Sequence, residues 1–261
     1  MFSRLPAAAR RATEPARYTL AIVSGLIEVD RELARAVDEL VFAPPVTHVY
    51  NPLDYAWEPH RRYLELWGRG PKQLAFLGMN PGPWGMSQTG VPFGEISAVR
   101  GWLRVTGPVG RPANEHSKRP ILGFDCARSE ISGRRLWGWL RDRCRTPERF
   151  FGRCFVLNYC PLAFLEASGR NRTPDKLPAA ERQALEKRCD RALRQAVEVL
   201  ELEWVVGIGQ FAEKQARRAL ADTEVEIGRI LHPSPASPAA NRGWAAQAER
   251  DLAALGIDHL L

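Results

Sequence analysis

Residues 78–95 read GMNPGPWGMSQTGVPFGE. Just before them, residues 73–77 (QLAFL) form a short apolar run behind Pro71, which is how a buried parallel strand reads. The eighteen residues that follow hold five glycines and three prolines. The glycines can reach positive φ and the prolines fix φ, so an irregular but stiff loop is expected. Open α/β sheets bind ligands at the carboxyl ends of their strands, where this loop would lie. No lysine follows the glycines, so it is not a phosphate loop of the GxxxxGK[ST] kind.

Three further strands are expected over residues 153–158, 204–208 and 225–231. Helices are expected over 18–42, 54–67, 96–105, 132–144, 177–201, 210–220 and 239–255. Residues 49–53, 107–124 and 168–174 read as turns and loops. The alternation predicts a three-layer α/β/α domain around a central four-stranded parallel sheet. One domain is expected over 18–261, with a flexible Arg/Ala-rich tail over 1–17.

At 261 residues and 45% hydrophobic content the chain can bury a large core. Its net charge of +7 suits a polyanionic partner, and residues 128–153 carry eight arginines against three acidic residues. That run reads either as a solvated helix face or as a phosphate-tracking surface. Five scattered cysteines without a CxxC pair read as reduced thiols. Nothing calls for a metal or another cofactor, and no apolar run approaches the ~18 residues of a membrane span.

Three of the four strands end in a polar side chain within a proline-bearing turn: Asn80, Asn158 and His232. Singly, each is ordinarily a turn cap or a structural residue. Together on one rim of a sheet they form a candidate constellation of two amides and an imidazole. With no carboxylate pair and no metal triad, such a set can orient water, read an amide-like edge and stabilise an anionic leaving group. Those are the needs of N-glycosidic cleavage of a base.

Residues 78–95, together with NYCPLAFLEASGRNRTP (158–174) and HPSPASPAANRGW (232–244), closely resemble the three motifs of the single-strand-selective monofunctional uracil-DNA glycosylases. The similarity extends from about residue 46 to the C-terminus. It implies a uracil-DNA glycosylase-like fold and an enzyme that hydrolyses uracil, and 5-hydroxymethyluracil, out of DNA in base excision repair. By the same resemblance Asn80 positions water, His232 bonds uracil O2 and Asn158 reads N3–H and O4. Phe93 stacks on the flipped base, and Met79 and Gly82 line the pocket by backbone. Gly82 would leave room at C5, where another branch places a bulky aromatic.

Ser234, Pro235, Ala236 and Arg242 fall where DNA is held. The family often carries Arg at the position of Ala236, and Ala cannot wedge into a base stack. Weaker action on duplexes, or Arg242 as a substitute, is expected. The absence of lysine from the three motifs argues against a Schiff-base lyase step. The expected partner is uracil-containing DNA, single- or double-stranded, bound by a monomer. Its compartment would be the bacterial cytoplasm with its nucleoid, or a eukaryotic nucleus. A non-catalytic single-strand-binding protein and a hydrolase of free nucleosides remain the alternatives.

Overall fold

The computed structural model describes residues 7–261, with side chains from residue 17 on. In chain order the elements are α1 (Ala7–Asp38), β1 (Val46–Tyr50), α2 (Pro52–Tyr55), α3 (Trp57–Trp67), β2 (Leu74–Gly78), α4 (Met86–Thr89) and α5 (Ile96–Gly101). Next come α6 (Ile131–Cys144), α7 (Pro147–Phe151), β3 (Cys154–Asn158), β4 (Ala163–Glu166), β5 (Asn171–Arg172) and α8 (Ala179–Leu200). The chain closes with β6 (Trp204–Ile208), α9 (Gln210–Ala219), β7 (Glu226–Ile230), α10 (Pro238–Asn241) and α11 (Trp244–Ala254).

The central sheet is parallel throughout, in the order β3-β2-β6-β7. The chain steps one way from β2 to β3 and the other way from β3 to β6 and β7. Right-handed crossovers then place the intervening helices on opposite faces. The packing agrees: α6 lies against α5 and α11, whereas α8 lies against α1 and α9. All five residues of β2 are buried, as a strand covered on both faces requires. The stripe Leu26, Val29, Leu33 and Val37 of α1 is buried, as is Leu185, Cys189, Leu193, Val197 and Leu200 of α8.

Four expectations are corrected. A second, antiparallel sheet, β1-β4-β5, lies outside the expectation: the end of β1 overlaps the stretch read as a turn (49–53), β5 lies in the stretch read as a loop (168–174), and β4 lies where no element is assigned. The first helix runs from Ala7 to Asp38, so residues 7–17 of the expected tail are helical, while 1–6 lie outside the described residues. The helix read over 54–67 is two, broken at Ala56. The last helix is likewise two, broken at Arg242 and Gly243. Among the described residues no helix is long and apolar enough to cross a membrane.

Asn51 joins three elements. Its buried side chain accepts from Leu53 N at 3.2 Å to cap α2, and donates to Ala34 O and to Asp38 Oδ1 of α1. Truncation removes a cap and both side-chain donations to α1. Asn51→Ala is therefore expected to lower the unfolding free energy by about 2 kcal/mol. Urea denaturation checks this; a change within about 0.5 kcal/mol, the range of ordinary surface substitutions, would remove the linking role.

Candidate active site

The sheet brings the three strand-end side chains into one cavity. Gly78 and Asn158 are direct neighbours in the β2–β3 ladder. The pairing continues beyond the strands: Tyr159 N donates to Gly78 O at 3.0 Å and Cys160 N to Met79 O at 2.9 Å. Both loops therefore leave the sheet side by side. His232 follows β7, and its Cβ packs 3.0 Å from where a side chain on Gly209 would begin. Gly209 turns at φ +91° at the end of β6. The resulting cavity, of about 360 Å³, is lined by Met79, Asn80, Gly82, Phe93, Asn158 and His232, with Pro81, Glu130, Ser132, Asn171, Thr173 and Ser234 completing the wall.

Each functional side chain is held by a separate device. Asn80 donates its amide to Leu162 O at 3.0 Å, which commits the nitrogen and leaves the oxygen free to accept. Asn158 points its amide nitrogen at Met86 Sδ, 3.1 Å away, a weak acceptor, so its donor capacity is largely unspent. Phe93 sits at φ +52°, a left-handed conformation uncommon outside glycine. Its carbonyl accepts from the Trp137 indole at 3.0 Å and lies 2.1 Å from where a Gly133 Cβ would stand. At Gly78 a Cβ would strike both Asn158 Oδ1 (2.2 Å) and the Phe93 ring (2.6 Å), so only glycine lets these two side chains meet.

The loop itself is a scaffold. Buried Gln88 spends its whole amide. It donates to Pro83 O and Pro120 O and accepts from Leu122 N and Gly123 N. Buried His60 bridges Gly90 O and Asp30, each at 2.7 Å. Arg135 of α6 holds the third motif, donating to Pro233 O, Ser234 O and Asn241 Oδ1.

Among the described residues His232 has no side-chain hydrogen-bond partner, and burial of its ring lowers its pKa to about 4. The imidazole is therefore neutral at pH 7, with one N–H to donate. Pro235 and Ala236 are exposed at the tip of the third motif and Arg242 is exposed just past α10, while Ser234 lines the cavity.

Five lining residues carried no assigned role in the sequence: Pro81, Glu130, Ser132, Asn171 and Thr173. Glu130 stands out. Its carboxyl is turned inward, one oxygen has no hydrogen-bond partner, and burial, assisted by nearby Glu95, raises its pKa to about 7. A Cβ on Gly82 or Gly85 would stand 2.1 or 1.9 Å from its oxygens. The space that Gly82 vacates is thus taken by this carboxyl rather than left open.

Three arginines of the run are structural: Arg143 and Arg153 donate to carbonyls near the C-terminus, and Arg135 to the third motif. The first of the run, Arg128, shares with Arg119 the ring of Trp84, two residues past Gly82 of the cavity lining. The guanidinium carbons of Arg119 and Arg128 lie 5.0 and 4.6 Å from the ring centre of half-buried Trp84.

A carboxyl whose pKa rises from 4.5 to about 7 on folding stabilises the fold fully only below pH 4.5, and that share is lost as pH rises through 7. The difference corresponds to roughly 3 kcal/mol. Glu130→Gln is therefore expected to be more stable than the parent at pH 8 and to lose that advantage at pH 4.5. Melting curves at the two pH values check this, and an equal or lower melting temperature at pH 8 would show the carboxyl to be well solvated.

The Uracil DNA glycosylase superfamily model matches residues 68–253. The chain is 52% identical to the single-strand selective monofunctional uracil DNA glycosylase of Mus musculus, over 95% of this chain and 90% of that one. It is 51% identical to the Bos taurus protein of the same name, over 98% and 94%. A crystal structure of Pedobacter heparinus SMUG2 aligns with TM-score 0.62 at 16% identity, covering 87% of this chain and 98% of that one, which shows a shared fold. By sequence and by architecture, the chain belongs to the uracil DNA glycosylase superfamily, in the family of the single-strand selective monofunctional enzymes.

Proposed function

We propose that this protein removes uracil from DNA by hydrolysing the N-glycosidic bond of a flipped nucleotide, as a monofunctional glycosylase of base excision repair. The observation that carries the reading is the convergence of Asn80, Asn158, Phe93 and His232 on one cavity of about 360 Å³. Family membership supplies the reaction and the cavity supplies the groups.

Eversion costs a few kcal/mol, least for an unpaired base. Asn158 accepts from uracil N3–H and donates to O4. Cytosine lacks that N–H and carries a donor at C4, so it leaves the amide unpaired. Phe93 covers one ring face. The C1′–N1 bond then breaks, and its electron pair moves into the base, where charge gathers on O2. Neutral His232 donates to O2, a contact that tightens as the charge grows. The water held by the Asn80 oxygen adds to C1′. The sugar keeps a hydroxyl, and the remaining proton leaves with uracil or solvent. With an amide at the water, general-base help is slight, so leaving-group stabilisation supplies most of the rate.

The same cavity is proposed to admit 5-hydroxymethyluracil. Preference for single strands follows from Ala236, too short to fill the gap left in a duplex. Arg242, next to Asn241 that bonds Pro235 O at 2.9 Å, is the cation nearest that tip in sequence. Arg119 and Arg128 flank Trp84 and have no carboxylate partner among the described residues. They are proposed to hold phosphates of the same strand.

Removing one pre-placed donor typically costs about 3–4 kcal/mol of transition-state stabilisation. Asn80→Ala and His232→Ala are each expected to slow single-turnover uracil release from a single strand by about 10²–10³-fold, with binding of that strand little changed. Alkaline cleavage of the product reports the rate. A wild-type protein that binds the strand and leaves it alkali-stable would convert the reading into that of a binding protein.

Each phosphate contact on single-stranded DNA contributes about 0.7 to the slope of log K against log salt. The double variant Arg119→Ala/Arg128→Ala is expected to reduce that slope by about 1.4, uniformly across base sequences. A salt titration by fluorescence anisotropy measures it, and an unchanged slope would move the strand elsewhere.

A further inference from the structure

With O2 at His232 and the N3–O4 edge at Asn158, the bound ring has one edge left. C5 adjoins C4 and points away from O2; the resemblance sets Gly82 at C5, and Glu130 stands against Gly82 in the cavity wall. At this wall the structure places a carboxyl, not a void. The Glu130 oxygens occupy the space that side chains on Gly82 and Gly85 would need. Oε2, on the Gly85 side, is inaccessible; Oε1, against Gly82, is not sealed, and neither has a hydrogen-bond partner among the described residues. Nearby Glu95 is already spent, accepting from Ser129 Oγ and Ala98 N at 2.9 Å each. Native proteins rarely leave a buried acceptor unpaired without a use for it.

We propose that the Glu130 carboxyl selects the substituent at C5 of the bound pyrimidine, rejecting a methyl and receiving a hydroxyl-bearing group. The inference rests on the reading of the cavity as a uracil pocket. Its logic is a difference of affinities. Thymine, the ordinary base of DNA, differs from uracil by one methyl. An apolar pocket discriminates a methyl by only about 10–200-fold, whereas stranding a polar group that the site needs to satisfy discriminates far more. Uracil, bare at C5, leaves the carboxyl open to water. A 5-methyl closes that access and offers nothing in return. A 5-hydroxymethyl group is larger than methyl, yet it brings an O–H to an oxygen that lacks a donor. Polarity, not size, then decides. An anionic substituent would meet like charge wherever Glu130 is ionised.

The test compares single-turnover release at pH 8 from single strands carrying uracil, 5-hydroxymethyluracil, thymine or 5-carboxyuracil. Each rate is divided by the uracil rate of the same variant. Glu130→Met keeps the length and removes the polarity. It is expected to lower the 5-hydroxymethyluracil ratio at least tenfold and to raise the thymine ratio at least tenfold. Glu130→Gln removes only the charge and is expected to raise the 5-carboxyuracil ratio at least tenfold. If the Met variant does not melt cooperatively, the Gln variant alone decides. Ratios within twofold of wild type overturn the proposal. Failure of the underlying reading has a different signature: wild type releases no uracil, or Asn80→Ala releases it as fast.

Discussion

The site depends on the pairing of β2 with β3. A parallel ladder fixes which residues stand side by side, and a slip by one residue turns every side chain to the other face. Here the register sets Gly78 beside Asn158, and two further hydrogen bonds carry it into the loops. Asn80 is therefore placed relative to Asn158 by backbone geometry. Their own side chains need not hold them together. The third member, His232, is referred to the same frame through β6 and β7, the neighbouring pair in the sheet. A constellation positioned in this way can keep its side chains unpaired with one another and free for a substrate.

The loop above the ladder is rigid for a compositional reason. Its glycines mark places where another part of the chain comes too close for a side chain. Gly78 admits Asn158 and Phe93, and Gly82 and Gly85 admit Glu130; Gly133 on α6 admits the Phe93 carbonyl. Its prolines lack N–H donors, and the carbonyls of Pro83 and Pro120 are taken by Gln88. The positive φ of Phe93 costs of order 1 kcal/mol or more, and persists because Trp137 and Gly133 over-determine its carbonyl. Strain is thus concentrated at a wall of the cavity.

The four parallel strands were legible because each is a short run between turn signals; β2 and β6 are buried almost throughout, whereas edge strand β7 exposes Glu226 and Arg229. The β1-β4-β5 sheet was not. Its strands have two to five residues, and pairing partners such as Tyr50 and Ala163 lie far apart in the chain. The three polar strand ends were legible because the turns after them repeat a pattern of Asn or His with proline, and Phe93 came from the resemblance. Glu130 carried no local signal. It lies in an ordinary SEIS stretch before a helix, and its meaning comes from glycines more than forty residues earlier. The arginine run left two readings open for a related reason: composition counts charges but does not show which are already bonded. Trp84 read as packing, and its two guanidinium neighbours come from other segments.

Charge placement in the cavity follows from the reaction. The leaving base carries negative charge towards O2, so a carboxylate close to that atom would oppose bond breaking. The side chains assigned to O2 and to the water, His232 and Asn80, are neutral at pH 7, the former because burial lowers its pKa to about 4. The one acidic group in the lining, Glu130, stands against Gly82 and Gly85, and burial raises its pKa towards neutrality. Both shifts have the same origin, removal from water, and both suppress charge. Opposite in sign on the pH scale, they leave His232 neutral where the electron pair arrives and Glu130 only partly ionised at pH 7. The positive groups are kept to the rim, at Arg119, Arg128 and Arg242, where they can meet phosphates without competing for the base.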